Sequence, residues 1–282
     1  MLINLKKFVS SCFQQCKRGK TFTYGIIGIA IFLVLGFVGP LIAPYSPMEL
    51  AGDPFMPPGI THLLGTDNLG RDILSQLLFG TRITIFLAFG ATSISLIIGI
   101  LLGAIAGFYG HMADSVFSWI LQITVTIPRL FLAMMLIALF GTDVWVTIAV
   151  IGFTIWPSNA RLMRAQVLTL KNRPFVQASR VAGVHPFKIL LTHILPNGLG
   201  GVIANSSLQM AQAILLEASL SFLGLGDVER ITWGQIIYTG KMYMRTAWWT
   251  IVFPGLALVF LLISLHLIGD GIAGILNPRL KS

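Results

Sequence analysis

The chain has 282 residues, of which 55% are hydrophobic and only 10% charged, and it carries a formal net charge of +9. That balance excludes a soluble globule: uncharged runs of about eighteen residues or more recur, and a helix needs about 20 such residues to cross roughly 30 Å of hydrocarbon. The positive charge then reports membrane orientation and anionic lipid, and calls for no nucleic-acid partner.

Residues 1–20 form a basic tail. Cys12 and Cys16, both in this tail, are the only two cysteines. No disulfide framework follows, and without a nearby His the pair is a poor metal site. Residues 21–43 are uncharged and read as a retained first span, because the run exceeds a signal peptide's apolar region and reaches Pro44 without a cleavage motif. Residues 44–82 form an outer loop, proline-rich at first and then Gly65-Thr66-Asp67-Asn68-Leu69-Gly70-Arg71-Asp72. Leu69, Ile73, Leu74, Leu77 and Leu78 recur at helical spacing, which predicts an amphipathic helix at the outer interface, either capping the bundle or touching substrate. Asp67, Arg71 and Asp72 are its candidate external-interface residues.

Residues 83–273 hold five further spans: Ile83 to Phe108, Ser115 to Phe140, Val144 to Ala165 with a kink at Pro157, Gly198 to Leu223, and Trp249 to Ile272. Gly99, Gly103 and Gly107 line one stripe of the second span and predict the close approach of another backbone. Trp233, Trp248, Trp249, Tyr238 and Tyr243 predict an aromatic belt at the headgroups. Residues 274–282 form a second basic tail. The expected fold is an all-α membrane protein, a six-helix transmembrane bundle.

Lys and Arg set the orientation. Thirteen of them fall in the N-terminal tail, the loop between spans four and five, and the C-terminal tail, against five (Arg71, Arg82, Arg230, Lys241, Arg245) on the other side. Both termini and the 166–196 loop are therefore expected in the cytoplasm. Two charges fall within spans, Arg129 and Glu217, and these are the translocation-path candidates. At bilayer depth each must either face a water-filled passage, where it would meet a zwitterionic solute, or pair with the other or with a partner protein. His266 lacks a second His or Cys nearby and reads as a packing residue; Asp270 lies near the cytoplasmic end of its span and reads as structural.

The 166–196 loop is a polar island with ordered punctuation. Residues 173–182 are expected to form a short helix with Phe175, Ser179 and Ala182 on one face, ended by Gly183 in a left-handed conformation. Pro186 then suits the first turn of a second helix, and Pro196 the start of the fifth span. Two short helices joined at a glycine make an angular element on whose small side chains a partner's groove can close. An ordinary basic inner loop is the plainer alternative.

Gln177-Ala178-Ser179, Gly183 and Ile194-Leu195-Pro196 resemble the conserved cytoplasmic loop of bacterial ABC-transporter permeases, in which Glu-Ala-Ala is followed by a glycine and then Ile-Leu-Pro. Gln177 stands for the family's glutamate and Ser179 for its second alanine. Gly65-Thr66-Asp67 with Gly70-Arg71-Asp72, Ser221 to Gly226, Ala247-Trp248-Trp249, Phe253-Pro254-Gly255, Gly269-Asp270-Gly271 and Asn277-Pro278-Arg279 are similar to the C-type permease of dipeptide, oligopeptide and nickel importers. The resemblance implies a MetI-like permease bundle with cytoplasmic coupling helices in the bacterial inner membrane. It also implies a second, B-type permease, two cytosolic ATPases that bind ATP and Mg, and an external solute-binding protein. Its ATPase-coupling residues would be Phe175, Gln177, Ala178, Ser179, Arg180, Ala182, Gly183, His185, Pro186 and Phe187. Dipeptides or oligopeptides are the expected cargo, with nickel, metal chelates or haem as alternatives.

The residues themselves agree that the chain holds no engine. A nucleotide-binding loop needs Gly-x4-Gly-Lys-Ser/Thr, and Gly234 to Met242 has one residue too many and lacks the hydroxyl. No cofactor or metal site is expected in the chain. An intramembrane protease is a rival reading, but no nucleophile elbow and no His-Glu-x2-His occurs. A passive channel is the other rival, and it has no use for a docking island.

Overall fold

The computed structural model describes residues 20–276, and among them the regular elements are all helical. In chain order they are α1 (Lys20–Ile42), α2 (Ile73–Tyr109), α3 (His111–Thr126), α4 (Arg129–Phe140), α5 (Val144–Leu170), α6 (Pro174–Val181), α7 (Pro186–Ile189), α8 (Leu195–Phe222), α9 (Trp233–Gly240) and α10 (Trp249–Leu276). Residues 1–19 and 277–282, which hold most of the two expected tails with Cys12, Cys16 and Asn277-Pro278-Arg279, lie outside the described residues.

The span count differs from six. Four helical runs are long and apolar enough to cross a membrane: α1, α2, the continuous Pro186–Phe222 run and α10; a fifth is gained if the bent pair α3 and α4 counts as one. The expected third span breaks because Pro128 pushes the preceding residue out of the helical region: Ile127 sits at φ −83, ψ 126, and the two helices diverge by 86°. Helix α5 has the length, 27 residues, but Ser158, Asn159, Arg161 and Arg164 make its second half polar. It occupies the middle of the bundle, packed against α2, α8 and α4.

The separate outer amphipathic helix is also corrected. Ile73 instead opens a 37-residue helix that runs on through the expected second span. At 1.5 Å per residue this is about 55 Å of unbroken helix. Asp72 caps it, its Oδ2 accepting the Ser75 backbone N–H at 2.8 Å, and no proline follows before Tyr109. The apolar stripe of Ile73, Leu77 and Leu78 is buried against the bundle, while Leu69 precedes the cap and is exposed.

The glycine ladder does what its spacing predicts. A Cβ on Gly99 would stand 2.6 Å from the Asn159 Cβ, one on Gly103 3.0 Å from the Met163 Cβ, and one on Gly107 2.9 Å from the Arg164 carbonyl oxygen. Helices α2 and α5 therefore meet backbone to backbone, a contact that dispersion can stabilise where no hydrophobic force acts between helices. Around it Leu87, Ala88, Ile151, Ile155, Ile214 and Leu220 form the main core.

Of the expected aromatic belt, only part faces outward. Trp248 is exposed, but Trp233 and Trp249 are buried, their Nε1 groups donating to the carbonyls of Leu77 (3.1 Å) and Thr66 (3.0 Å). They pin the loops at this end of the bundle to α2 and to the segment before it.

Candidate functional site

At the opposite end, residues 171–196 form an elbow. Pro174 fits the first turn of α6, whose missing N–H costs nothing there. Gly183, at φ +74, ends it: the Gly183 N–H donates to the Arg180 carbonyl at 3.0 Å and the Val184 N–H to the Ser179 carbonyl at 3.1 Å. This pair of bonds is the Schellman arrangement, which satisfies carbonyls a helix otherwise leaves open. His185 precedes Pro186, which starts α7 as its spacing suggests.

Helix α7 does not stop before the fifth span. Leu190–Ile194 form one wide π turn, with the Leu195 N–H donating to the Leu190 carbonyl, and α8 continues directly. The wide turn explains how Pro196 sits inside the rod, since a proline ring in a regular helix strikes the carbonyl four residues back.

The elbow is rooted on one side and bare on the other. Val176, Ile189, Leu190 and Ile194 are buried with Met163, Val167, Phe108 and Val202 in a second core. The Arg180 guanidinium lies over the Phe108 ring, 5.9 Å from its centroid, and Lys171 Nζ donates to the Gly107 carbonyl at 3.0 Å, tying the elbow to the end of α2. Gln177, Ala178, Arg180, Ala182, Gly183, His185 and Pro186 are exposed and Ser179 half-buried. Exposed beside them are three large apolar side chains, Phe175 (42%), Phe187 (52%) and Val181 (90%). Phe175 and Ala182 are exposed and Ser179 half-buried, while Val176, about 100° round the helix from Phe175, anchors it.

Arg129 and Glu217 are not brought together. Arg129 opens α4, is exposed, and donates from Nη1 to Gln212 Oε1 at 2.9 Å. Glu217 is buried, and its Oε1 accepts from Ser221 Oγ at 2.7 Å and Thr232 Oγ1 at 2.6 Å. It thereby ties α8 to the start of α9, where Thr232 also accepts the Gln235 N–H. His266 is exposed rather than packed, its Nδ1 2.8 Å from the Leu262 carbonyl oxygen of its own helix. Among the described residues no group of three His, Cys, Asp or Glu side chains could hold a metal ion.

Of the three residues expected at an external interface, the two carboxylates turn inward. Asp67 Oδ1 accepts the backbone N–H groups of Leu69 (2.8 Å) and Arg71 (2.9 Å), and its Oδ2 accepts Gln76 Nε2 at 3.0 Å. Asp72 lies 2.9 Å from His62 Nδ1 through Oδ1 while its Oδ2 caps α2. Arg71 is half-buried, with its Nε unbonded among the described residues.

Sequence reasoning missed a polar network through the middle of the bundle. Gln209 Oε1 accepts from Ser95 Oγ (2.7 Å) and Asn159 Nδ2 (2.6 Å), its Nε2 donates to the Ile155 carbonyl (2.9 Å), and Asn205 Nδ2 donates to Asn159 Oδ1 (2.9 Å). Asn205, Gln209 and Gln212 stand four and three residues apart, one face of α8, a pattern visible in the sequence had polar as well as apolar periodicity been read. Elsewhere an apolar groove of about 1030 Å³ runs between α1, α2, α8 and α10, walled by Phe32, Phe37, Phe86, Met210 and Leu261. Its lining suits hydrocarbon or a helix better than a zwitterion.

A bundle of apolar helices with a polar seam and a protruding elbow is the architecture of a membrane transport component. Residues 99–282 match the family described as binding-protein-dependent transport system inner membrane component, and the chain belongs to that family. It is therefore a multi-pass inner-membrane permease and not an enzyme. It is 33% identical over 272 residues to the dipeptide transport system permease protein DppC of Alkalihalophilus pseudofirmus, covering 96% of this chain and 90% of that one. The di/tripeptide transport system permease protein DppC of Pseudomonas aeruginosa is 34% identical, covering 99% and 93%. The oligopeptide transport system permease protein OppC of Haemophilus influenzae is 34% identical, covering 95% and 89%. A solved structure of the MetNI methionine ABC transporter in an inward-facing conformation shares the fold at a TM-score of 0.56 and 21% identity, over 72% of this chain and 96% of that one.

Proposed function

We propose that this chain is one permease of an ATP-driven importer of dipeptides or oligopeptides, and that the 171–196 elbow is where cytosolic ATPases grip it. The observation that carries this reading is the elbow's two-sidedness: Val176 and Ile189 are fully buried while Val181, Phe175 and Phe187 stand bare. Apolar groups held in water by a rigid mount mark an interaction surface. Because the elbow runs without a loop into α8, nucleotide-driven closure of two ATPases, each with ATP and Mg, would move α8 and α5 and open the path alternately to either side. A second, B-type permease completes the path, and an external solute-binding protein delivers cargo to the opposite end. There Asp67, Arg71 and Asp72 hold the receptor-facing loop in shape. In this orientation both termini and the elbow are cytoplasmic, as the Lys and Arg distribution favours. Arg129 belongs to the path, and Glu217 supports its outer end from beneath.

The test is Gly183→Val in the assembled transporter. Nothing lies within 4 Å of a Cβ built on Gly183, so the side chain meets no obstacle; the positive φ alone opposes it. A β-branched residue there costs about 1–3 kcal/mol, enough to reshape the turn without unseating α5 or α8. ATP hydrolysis is expected to continue while uptake falls by about tenfold, at unchanged membrane levels, and Gly183→Asn, which tolerates that conformation, should retain uptake. Wild-type uptake by Gly183→Val would refute the elbow's role.

A further inference from the structure

Arg129, Arg161 and Gln212 form a polar station on the open side of the bundle. All three are exposed, Arg129 is bonded to Gln212 at 2.9 Å, and Arg161 is the charged neighbour that acts on Arg129. The ion pairs among the described residues are His62 with Asp72 and Arg164 with Asp114, so neither Arg129 nor Arg161 has a carboxylate of its own. Gln212 lies ten residues from the end of α8 at Phe222, about 15 Å at 1.5 Å per residue. That is half the roughly 30 Å thickness of the hydrocarbon.

Arg129, bonded to Gln212 at that depth, and Arg161, within electrostatic reach of it, repel each other, and a charge there cannot face lipid without a cost of several kcal/mol. Water and an anion relieve both penalties. The surroundings are ordered: one helical face along from Gln212, the half-buried Asn205 bonds the buried Asn159, which with Gln209 and Ser95 forms one set of hydrogen bonds. That network fixes the facing surfaces of α5 and α8, and with them the backbones that carry Arg161 and Gln212. A guanidinium offers five N–H donors in a planar fork that matches a carboxylate.

We infer that Arg129 and Arg161, with Gln212 holding Arg129 in place, form a mid-membrane binding station for the carboxylate of the transported solute. This rests on the importer reading above and deepens it by naming the group recognised. It also separates the two charges within the spans: Arg129 contacts solute, while the buried Glu217, bonded to Ser221 and Thr232, does not.

The test uses the complete transporter, with its partner permease, ATPases and solute receptor, in proteoliposomes, and radiolabelled dialanine as the probe. Arg129→Gln and Arg161→Gln are each expected to lower dialanine uptake per ATP hydrolysed by about tenfold, the size of one charge-assisted hydrogen bond. Lysine at either position should restore most of it, and Arg161→Glu should lower uptake further than Arg161→Gln, an order of charge that a packing role does not produce. Wild-type uptake by both glutamine variants would overturn the inference, as would lysine variants as impaired as the glutamine ones. A fall in the amount of assembled complex would overturn it too, because it would show the arginines pairing with an acid on the partner permease. Absence of dialanine uptake by the wild-type assembly would strike the importer reading itself, and this inference with it.

Discussion

Replacing Gly103 by alanine should destabilise the bundle, although alanine is the better helix former. In a free helix the change is worth about 0.5–1 kcal/mol in favour of alanine. Here the added methyl would enter the backbone of α5, whose Ala160 carbonyl and Met163 Cβ (3.0 Å) already close the space. Backbone cannot turn aside as a side chain can, and such overpacking costs about 1–3 kcal/mol. The net loss of about 1–2 kcal/mol corresponds to a fall of about 2–8 °C in the unfolding midpoint for a domain of this size. Gly255→Ala is the matched control: it is also helical, and nothing lies within 4 Å of the new Cβ, so its midpoint should stay level or rise. Thermal unfolding of the purified transporter, followed by intrinsic tryptophan fluorescence, measures both. A Gly103→Ala midpoint at or above wild type would refute the claim that α2 and α5 touch backbone to backbone.

Thr232→Ala should lower stability by about 1–2 kcal/mol in the same assay, since Thr232 both caps α9 through the Gln235 N–H and donates to Glu217; Thr232→Ser should keep most of it. In the elbow, Val176→Ala removes a fully buried anchor and should cost about 1–3 kcal/mol, whereas Val181→Ala, 90% exposed, should leave the midpoint within about 0.5 kcal/mol of wild type yet weaken ATPase co-purification. Loss of ATPase with Val176→Ala alone would instead place the grip on the elbow's shape rather than on its bare face.

The features legible in the sequence were those that one residue type decides locally. Gly99, Gly103 and Gly107 recur on one stripe and leave little but close packing to explain them, and Gly183 with Pro186 marks the elbow because glycine enters the left-handed region without strain while proline is held to a single φ. Apolar runs located most of the spans for the same reason. Hydropathy misled at Pro128, where an apolar run hides a break that the residue before proline imposes, and at Ile73, where a polar loop is followed by a helix that simply continues. The partners of the polar face on α8 could not be seen from local pattern. Arg129 and Gln212 are 83 positions apart, and Asn159 and Gln209 are 50 apart, so their pairing exists only once α4, α5 and α8 are stacked. Trp233 and Trp249 read as headgroup residues by type, but the carbonyls of Leu77 and Thr66 draw their indoles inside.

The wide turn at Leu190–Ile194 has a mechanical meaning. It carries one residue more than a regular turn, and a helix advances by roughly 100° of azimuth for each residue. If that turn tightened to ordinary pitch, the exposed face around Phe187 and the side of Gln212 that holds Arg129 would be re-aimed relative to each other by about that angle. A displacement of the elbow is thereby convertible into torsion of α8, and the irregular turn lies next to the elbow rather than beside Gln209 and Gln212.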